Sequence, residues 1–200
     1  MYKLMGSPKT RAFRVLWMFE ELGVQYEVDP AKPHSKTMLA ANPSGKVPAL
    51  EADGEVIIDS TAICQFLADR HGKFTFPAGS IQRGQQDSWT NFALDDVDSV
   101  LWFNAKNTFV LPEELRSETA QKACRFEFDK AMKTLEQRLG DKTYVMGDEF
   151  TLPDLLLGHC AGWAVNGAGW IVEPKSVADY FERVRSRPAC QKALEIRETF

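Results

Sequence analysis

Apolar residues change their spacing repeatedly over the first third of the chain, and each change predicts an element. Tyr2–Met5 reads as a short strand. Over residues 11–22, Phe13, Leu16, Trp17 and Phe19 recur at helical spacing, and Gly23 follows as a stop signal. Residues 24–28 alternate and predict a second strand. Residues 29–41, with Pro30 and Pro33, predict irregular chain. Two apolar runs then flank Asp53-Gly54, a two-residue hairpin signal. Val47-Pro48 stands at the start of the first run. Asp59-Ser60 closes the second and opens a helix carrying Ile63, Phe66 and Leu67 as far as His71-Gly72. Strand, helix, strand, hairpin, helix is a thioredoxin-like α/β order, with a right-handed first crossover and parallel first strands.

The pattern shifts after residue 72. Pro77, Gly79 and Gly84 interrupt residues 73–86, which lack a sustained apolar period. The expected division is an α/β domain over 1–75, a linker over 76–86 and an all-α helical-bundle domain over 87–200. Trp89, Phe92, Val97 and residues 100–103 predict one long helix ending before Pro112. Phe126, Phe128, Met132, Leu135 and Leu139 place a second helix over about 116–139. A third begins at Thr151, and two short helices divide near Pro188. Thr151-Leu-Pro-Asp154 fits a capping box, hydroxyl first and acid three residues on. The expectation for Asp154 is therefore structural, with a loss of about 0.5–2 kcal/mol on replacement by Ala.

Composition narrows the function. The formal net charge is -4 and 44% of residues are hydrophobic. No basic excess is present to grip a phosphate backbone, which argues against nucleic acid as a partner. No apolar run approaches the roughly 20 residues of a membrane span, and no charged-then-apolar leader opens the chain, so the expected location is the cytoplasm. Cys64, Cys124, Cys160 and Cys190 lie far apart in apolar or helical contexts. They read as free buried thiols, and no metal site is expected.

The stretch from Asn42 to Ile63 carries the candidate chemistry. A strand backbone exposed beside a proline lies next to a helix N-terminus whose free N–H groups suit a carboxylate. A small, extended, peptide-like anion fits that pair of anchors. The matching residues are Asn42-Pro43, Gly45-Lys46-Val47-Pro48-Ala49-Leu50 and Asp59-Ser60-Thr61-Ala62-Ile63. Residues 2–27 and the FTLPDLLLGHCAGW run add to them. Together they resemble the glutathione S-transferase family over nearly the whole chain, in the manner of a bacterial, serine/threonine-type cytosolic member.

The resemblance implies a set of roles. Glutathione would be the co-substrate, with no metal or tightly bound prosthetic group. A cis Val47-Pro48 bond would turn the Val47 N–H and C=O toward the cysteinyl unit, as an added strand would be paired. Ser60 and its N–H would take the γ-glutamyl carboxylate, and Asp59 the γ-glutamyl ammonium. Lys46, with His34 or Lys36 in support, would meet the glycyl carboxylate. The partners would be glutathione, a small hydrophobic electrophile and a second copy of the chain in a homodimer.

Catalysis requires a thiolate. A thiol pKa near 8.5 leaves few thiolates at neutral pH, and lowering it by two units takes roughly 2.7 kcal/mol of preferential stabilisation. A hydroxyl donor and the positive end of the first helix can supply it. Counting back from Arg14-Val15-Leu16 puts Thr10 at the family's activating position, and Ser7 is the alternative. The expected second-substrate site lies between the domains, with Trp102, Phe103, Phe109, Trp163 and Trp170 as candidate lining. Two other activities suit the same scaffold: a glutathione-dependent disulfide reductase or peroxidase, and a non-catalytic interaction protein. The absence of Cys from residues 7–11 weighs against the first.

Overall fold

A computed structural model describes all residues from Met1 to Phe200. The chain forms two compact units, residues 1–76 with 185–200, and residues 77–184.

The first unit is built on a four-stranded mixed sheet in the order β2-β1-β3-β4. β1 (Tyr2–Met5) runs parallel to β2 (Tyr26–Asp29), with Tyr2 opposite Tyr26 and Met5 opposite Asp29. β3 (Ala49–Ala52) pairs antiparallel with β1, Leu50 facing Leu4, and with β4 (Glu55–Ile58). The thioredoxin-like order expected from the sequence is the order observed. Asp53 and Gly54, at φ 53° and 82°, supply the two left-handed positions of the tight turn. Leu4 and Leu50 are fully buried on the central strands.

α1 (Ala12–Leu22) is buried on nearly every side, with Val15, Leu16, Trp17, Met18 and Phe19 inaccessible. It stops at Gly23, φ 67°, whose N–H reaches the Phe19 carbonyl. Residues 36–41 depart from the expected irregular chain. They form a short helix, α2 (Lys36–Ala41), because the Ser35 hydroxyl accepts the Met38 N–H at 3.3 Å and Met38 is buried. α3 (Ser60–His71) follows the hairpin.

The second unit is helical. α4 (Ile81–Phe92) starts inside the stretch expected as linker, because Ser80 caps it by accepting the Arg83 N–H at 3.1 Å. It continues through a π-helical turn (Ala93–Asp98), α5 (Ser99–Ala105) and a second π-helical turn (Lys106–Val110). α6 (Glu118–Leu139), α7 (Leu152–Asn166) and α8 (Lys175–Arg185) complete the unit.

Asp154 at the start of α7 is inaccessible and accepts four hydrogen bonds. They come from Val145 N–H (3.0 Å), Thr151 N–H (2.9 Å), Thr151 hydroxyl (2.9 Å) and Tyr180 hydroxyl (2.8 Å). Burial holds its carboxyl above the ordinary carboxylate range, with the four donors pulling the other way.

The last helix, α9 (Pro188–Arg197), belongs with the first unit, not with the helical bundle to which residues 87–200 were expected to belong. Its anchor is Arg187, whose guanidinium forks onto the two Glu21 oxygens of α1 at 2.7 Å each. Trp17 Nε1 donates to the same carboxylate at 3.0 Å.

Candidate functional site

The residues expected to hold glutathione lie at one end of the sheet, because β3 starts beside the point where antiparallel β4 ends, Ala49 facing Ile58. Pro48 follows a cis peptide bond and leads into β3. Neither the N–H nor the C=O of Val47 is hydrogen-bonded within the protein, so both remain available to an added strand. Buried Asn42 holds the loop before it. Its amide donates to the Lys46 carbonyl at 3.0 Å, and its Oδ1 accepts from the Ser44 N–H and hydroxyl at 3.1 and 2.9 Å. Asn42 thus shapes the approach to Val47, although sequence reading singled it out only as part of a motif.

Two glycines are required by close approach. A Cβ on Gly6 (φ 127°) would come within 2.9 Å of Val47 Cβ. The end of β1 therefore lies directly against the Val47 segment, with Ser7 the next residue. A Cβ on Gly45 (φ 65°) would meet His34 Nδ1 at 2.4 Å. His34, itself at φ 60°, donates its backbone N–H to the Gly45 carbonyl at 2.8 Å. That contact brings exposed His34 beside the segment holding exposed Lys46.

Asp59, not Ser60, caps α3. Its Oδ1 accepts the Thr61 and Ala62 N–H groups at 2.8 and 3.1 Å, while its backbone sits at φ 73°. A non-glycine residue held there carries strain of order 1–3 kcal/mol, the kind of outlier that clusters at ligand clamps. Capping uses one carboxylate oxygen.

Ser60 is freed from capping by this arrangement. It is buried, and its Oγ accepts from Arg14 Nη1 at 3.3 Å. Arg14 is only 1% exposed, a guanidinium carried inside the unit by α1. Because Arg14 occupies a lone pair of Ser60 Oγ, the Ser60 proton is left for another acceptor. The charge reaches the start of α3 as well. Burial pushes the Cys64 thiol up to about 12, while Arg14 pulls it down and Asp59 pushes it further up. Beside Ser60, the buried Thr61 hydroxyl has no partner. Arg14 was missed as a site residue because an arginine in an amphipathic helix ordinarily reads as surface.

At the start of α1 the two candidate hydroxyls differ. Thr10 Oγ1 donates to the Ser7 carbonyl at 2.7 Å and accepts the Ala12 N–H at 3.2 Å. Its single proton is engaged in the turn. Ser7 Oγ only accepts, from the Lys9 N–H at 3.3 Å, and keeps its proton.

In the helical unit, Phe109, Trp163 and Trp170 line a cavity of about 430 Å³, with Arg125 and Lys122 on its wall. Trp102 and Phe103 line a second one of about 450 Å³. The candidate aromatics thus divide between two cavities of this unit.

Residues 1–75 match the family model described as the N-terminal domain of glutathione S-transferase, and residues 101–188 match that of its C-terminal domain. The glutathione S-transferase GstB of Escherichia coli K12 is 28% identical over 209 residues, covering 98% of this chain and 99% of that protein. A glutathione S-transferase-like protein, LUC7, of a Fusarium species is 31% identical over 176 residues, covering 82% of this chain and 76% of its own. The theta class glutathione S-transferase of Xanthomonas axonopodis pv. citri, solved with glutathione bound, superposes with a TM-score of 0.79. It is 22% identical, with 96% of each chain covered. The anchors at Val47 and Ser60 thus stand in a chain that belongs to the glutathione S-transferase family.

Proposed function

We propose that the chain is a glutathione transferase that binds glutathione along Val47 and joins its thiolate to a small hydrophobic electrophile. The observation that carries the reading is the pair of anchors in the first unit: an unpaired Val47 backbone, and a buried Ser60 backed by Arg14. The cysteinyl unit pairs with the Val47 N–H and C=O. The γ-glutamyl carboxylate accepts hydrogen bonds from the Ser60 hydroxyl and N–H at the positive end of α3. The uncapping oxygen of Asp59 meets the ammonium, and Lys46 with His34 meets the glycyl carboxylate.

Ser7 donates to the sulfur in this proposal. Its proton is uncommitted, whereas Thr10 must first give up the Ser7 carbonyl. Thr10 then positions the turn that presents Ser7. The hydroxyl acts as a donor to an anion, not as a base, and attack forms a carbon–sulfur bond as the leaving group departs with its electron pair. A homodimer is part of the proposal, supported by Phe103 and Phe126, both large and exposed on the helical unit.

The test is the pH dependence of thiolate absorbance of bound glutathione, together with conjugation of an aryl halide. Ser7→Ala should raise the bound thiol pKa and slow conjugation about 10–100-fold, and Thr10→Val should act more weakly. A thiol pKa that moves with Thr10→Val and ignores Ser7→Ala would reverse the assignment. Binding without turnover of any electrophile would remove the transferase reading and leave a glutathione-binding protein.

A further inference from the structure

The helical unit brings Asp98 together with His159 and Cys160, which follow it in the chain by about 60 residues. Asp98 ends the first π-helical turn, and His159 and Cys160 are consecutive on α7. One ligand atom from each lies within 4.8 Å of the other two. Cys160 Sγ stands 4.0 Å from Asp98 Oδ2. Asp98 and Cys160 are buried and His159 is half-buried, so the group has a protected floor and one edge open to entry. No other trio of such side chains converges in the molecule.

We propose that Asp98, His159 and Cys160 form a binding site for one divalent cation of the zinc class. A thiolate, an imidazole and a carboxylate are the donors zinc prefers, and three protein ligands with one exchangeable position make a recognised zinc arrangement. Calcium and magnesium take oxygen shells instead, and this site offers one oxygen-bearing residue. Zinc bonds of about 2.3 Å to sulfur and about 2.0 Å to nitrogen and oxygen put tetrahedral donors roughly 3.3–3.6 Å apart. The trio therefore has to close by up to about 1.5 Å to hold an ion.

Charge favours the same occupant. Binding releases the Cys160 proton to solvent, and the thiolate and the Asp98 carboxylate then neutralise the two positive charges of the ion. His159 binds neutral through one ring nitrogen. Asp98 lies in a π-helical turn, a geometry frequent at functional sites. A bound ion would tie that turn to α7. It would act on the helical unit alone and take no part in glutathione binding.

The test uses the full chain, freed of tags and stripped with a chelator, and titrated with Co²⁺. The expected result is one equivalent bound, with a thiolate-to-cobalt charge-transfer band that Zn²⁺ displaces. Cys160→Ser should abolish the band, and Cys124→Ser should keep it. His159→Ala and Asp98→Asn should each weaken binding at least about 10-fold, since loss of groups merely supporting a metal ligand already costs 10–100-fold. Because Cys160 is fully buried, X-ray absorption of the zinc-loaded parent chain provides a second readout, with one sulfur expected among nitrogen and oxygen donors. A parent chain giving no charge-transfer band, a band that survives Cys160→Ser, or a zinc shell without sulfur would each overturn the proposal. Glutathione titration of the same chelated chain stays unchanged either way, so failure here is separable from failure of the proposed function.

Discussion

Replacing Asp154 by Ala tests how far a capping residue can become a core element. An exposed N-cap is worth about 0.5–2 kcal/mol, the loss expected from the sequence pattern. The structure enlarges that figure, because Asp154 accepts from four donors and is inaccessible. Truncation leaves the Val145 N–H, Thr151 N–H and Tyr180 hydroxyl without their acceptor, at residues no more than 2% exposed. Each orphaned buried group costs about 1–3 kcal/mol, while the Thr151 hydroxyl can turn elsewhere. The low end of that range for three groups is about 3 kcal/mol, and partial relaxation should hold the total near 3–5 kcal/mol. Urea unfolding followed by circular dichroism measures it directly. A loss below about 2 kcal/mol would show that the hydrogen bonds are replaced by water or by relaxation of the cap, refuting the accounting from four donors. Lost conjugation with unchanged unfolding would instead give Asp154 a chemical role that its position does not support.

Four further expectations follow from particular contacts and from burial. Arg187→Ala leaves Glu21, 5% exposed at its side chain, without its forked partner and should destabilise the chain by about 2–4 kcal/mol in the same unfolding assay; a loss under 0.5 kcal/mol would make the contact a surface pair. Gly6→Ala places a Cβ 2.9 Å from Val47 Cβ, so glutathione affinity should fall at least about 10-fold with the helical unit still folded; unaltered affinity would detach β1 from the Val47 anchor. All four thiols are buried, with Cys64 pushed up to about 12 and Cys190 to about 11 by burial, so a thiol reagent at pH 7 should titrate none in the native chain and four after denaturation. Stability contributed by these raised thiols is full below the unfolded thiol pKa and is lost as pH rises through the folded values, so unfolding midpoints should drop between about pH 9 and 12.

Much of the fold was legible because its signals are local. The hairpin follows from Asp53-Gly54, the end of α1 from Gly23, and the start of α7 from Thr151 and Asp154, each a backbone demand met by neighbouring residues. α2 escaped notice because its six residues have little apolar period, and a single buried Met38 with a Ser35 cap suffices to hold them. The π-helical turns leave no mark in an apolar pattern, which runs through them as in an ordinary helix. Long-range contacts account for the remainder. Nothing near residue 187 reveals that Glu21 will meet it, and nothing near Arg14 reveals that Ser60 will lie beside its guanidinium. The choice of cap at the start of α3 shows the same limit on a smaller scale. Asp and Ser are both good caps, and only the folded chain shows that Asp59 Oδ1 accepts the Thr61 and Ala62 N–H groups while Ser60 turns to Arg14.

Isothermal titration of reduced glutathione into the parent chain and into Ser60→Ala addresses the central claim most directly. The account predicts one molecule bound per chain. It also predicts about 10–100-fold weaker binding in the variant, the worth of a hydrogen bond to a charged group. No heat from the parent chain, or equal affinity in both, would contradict it.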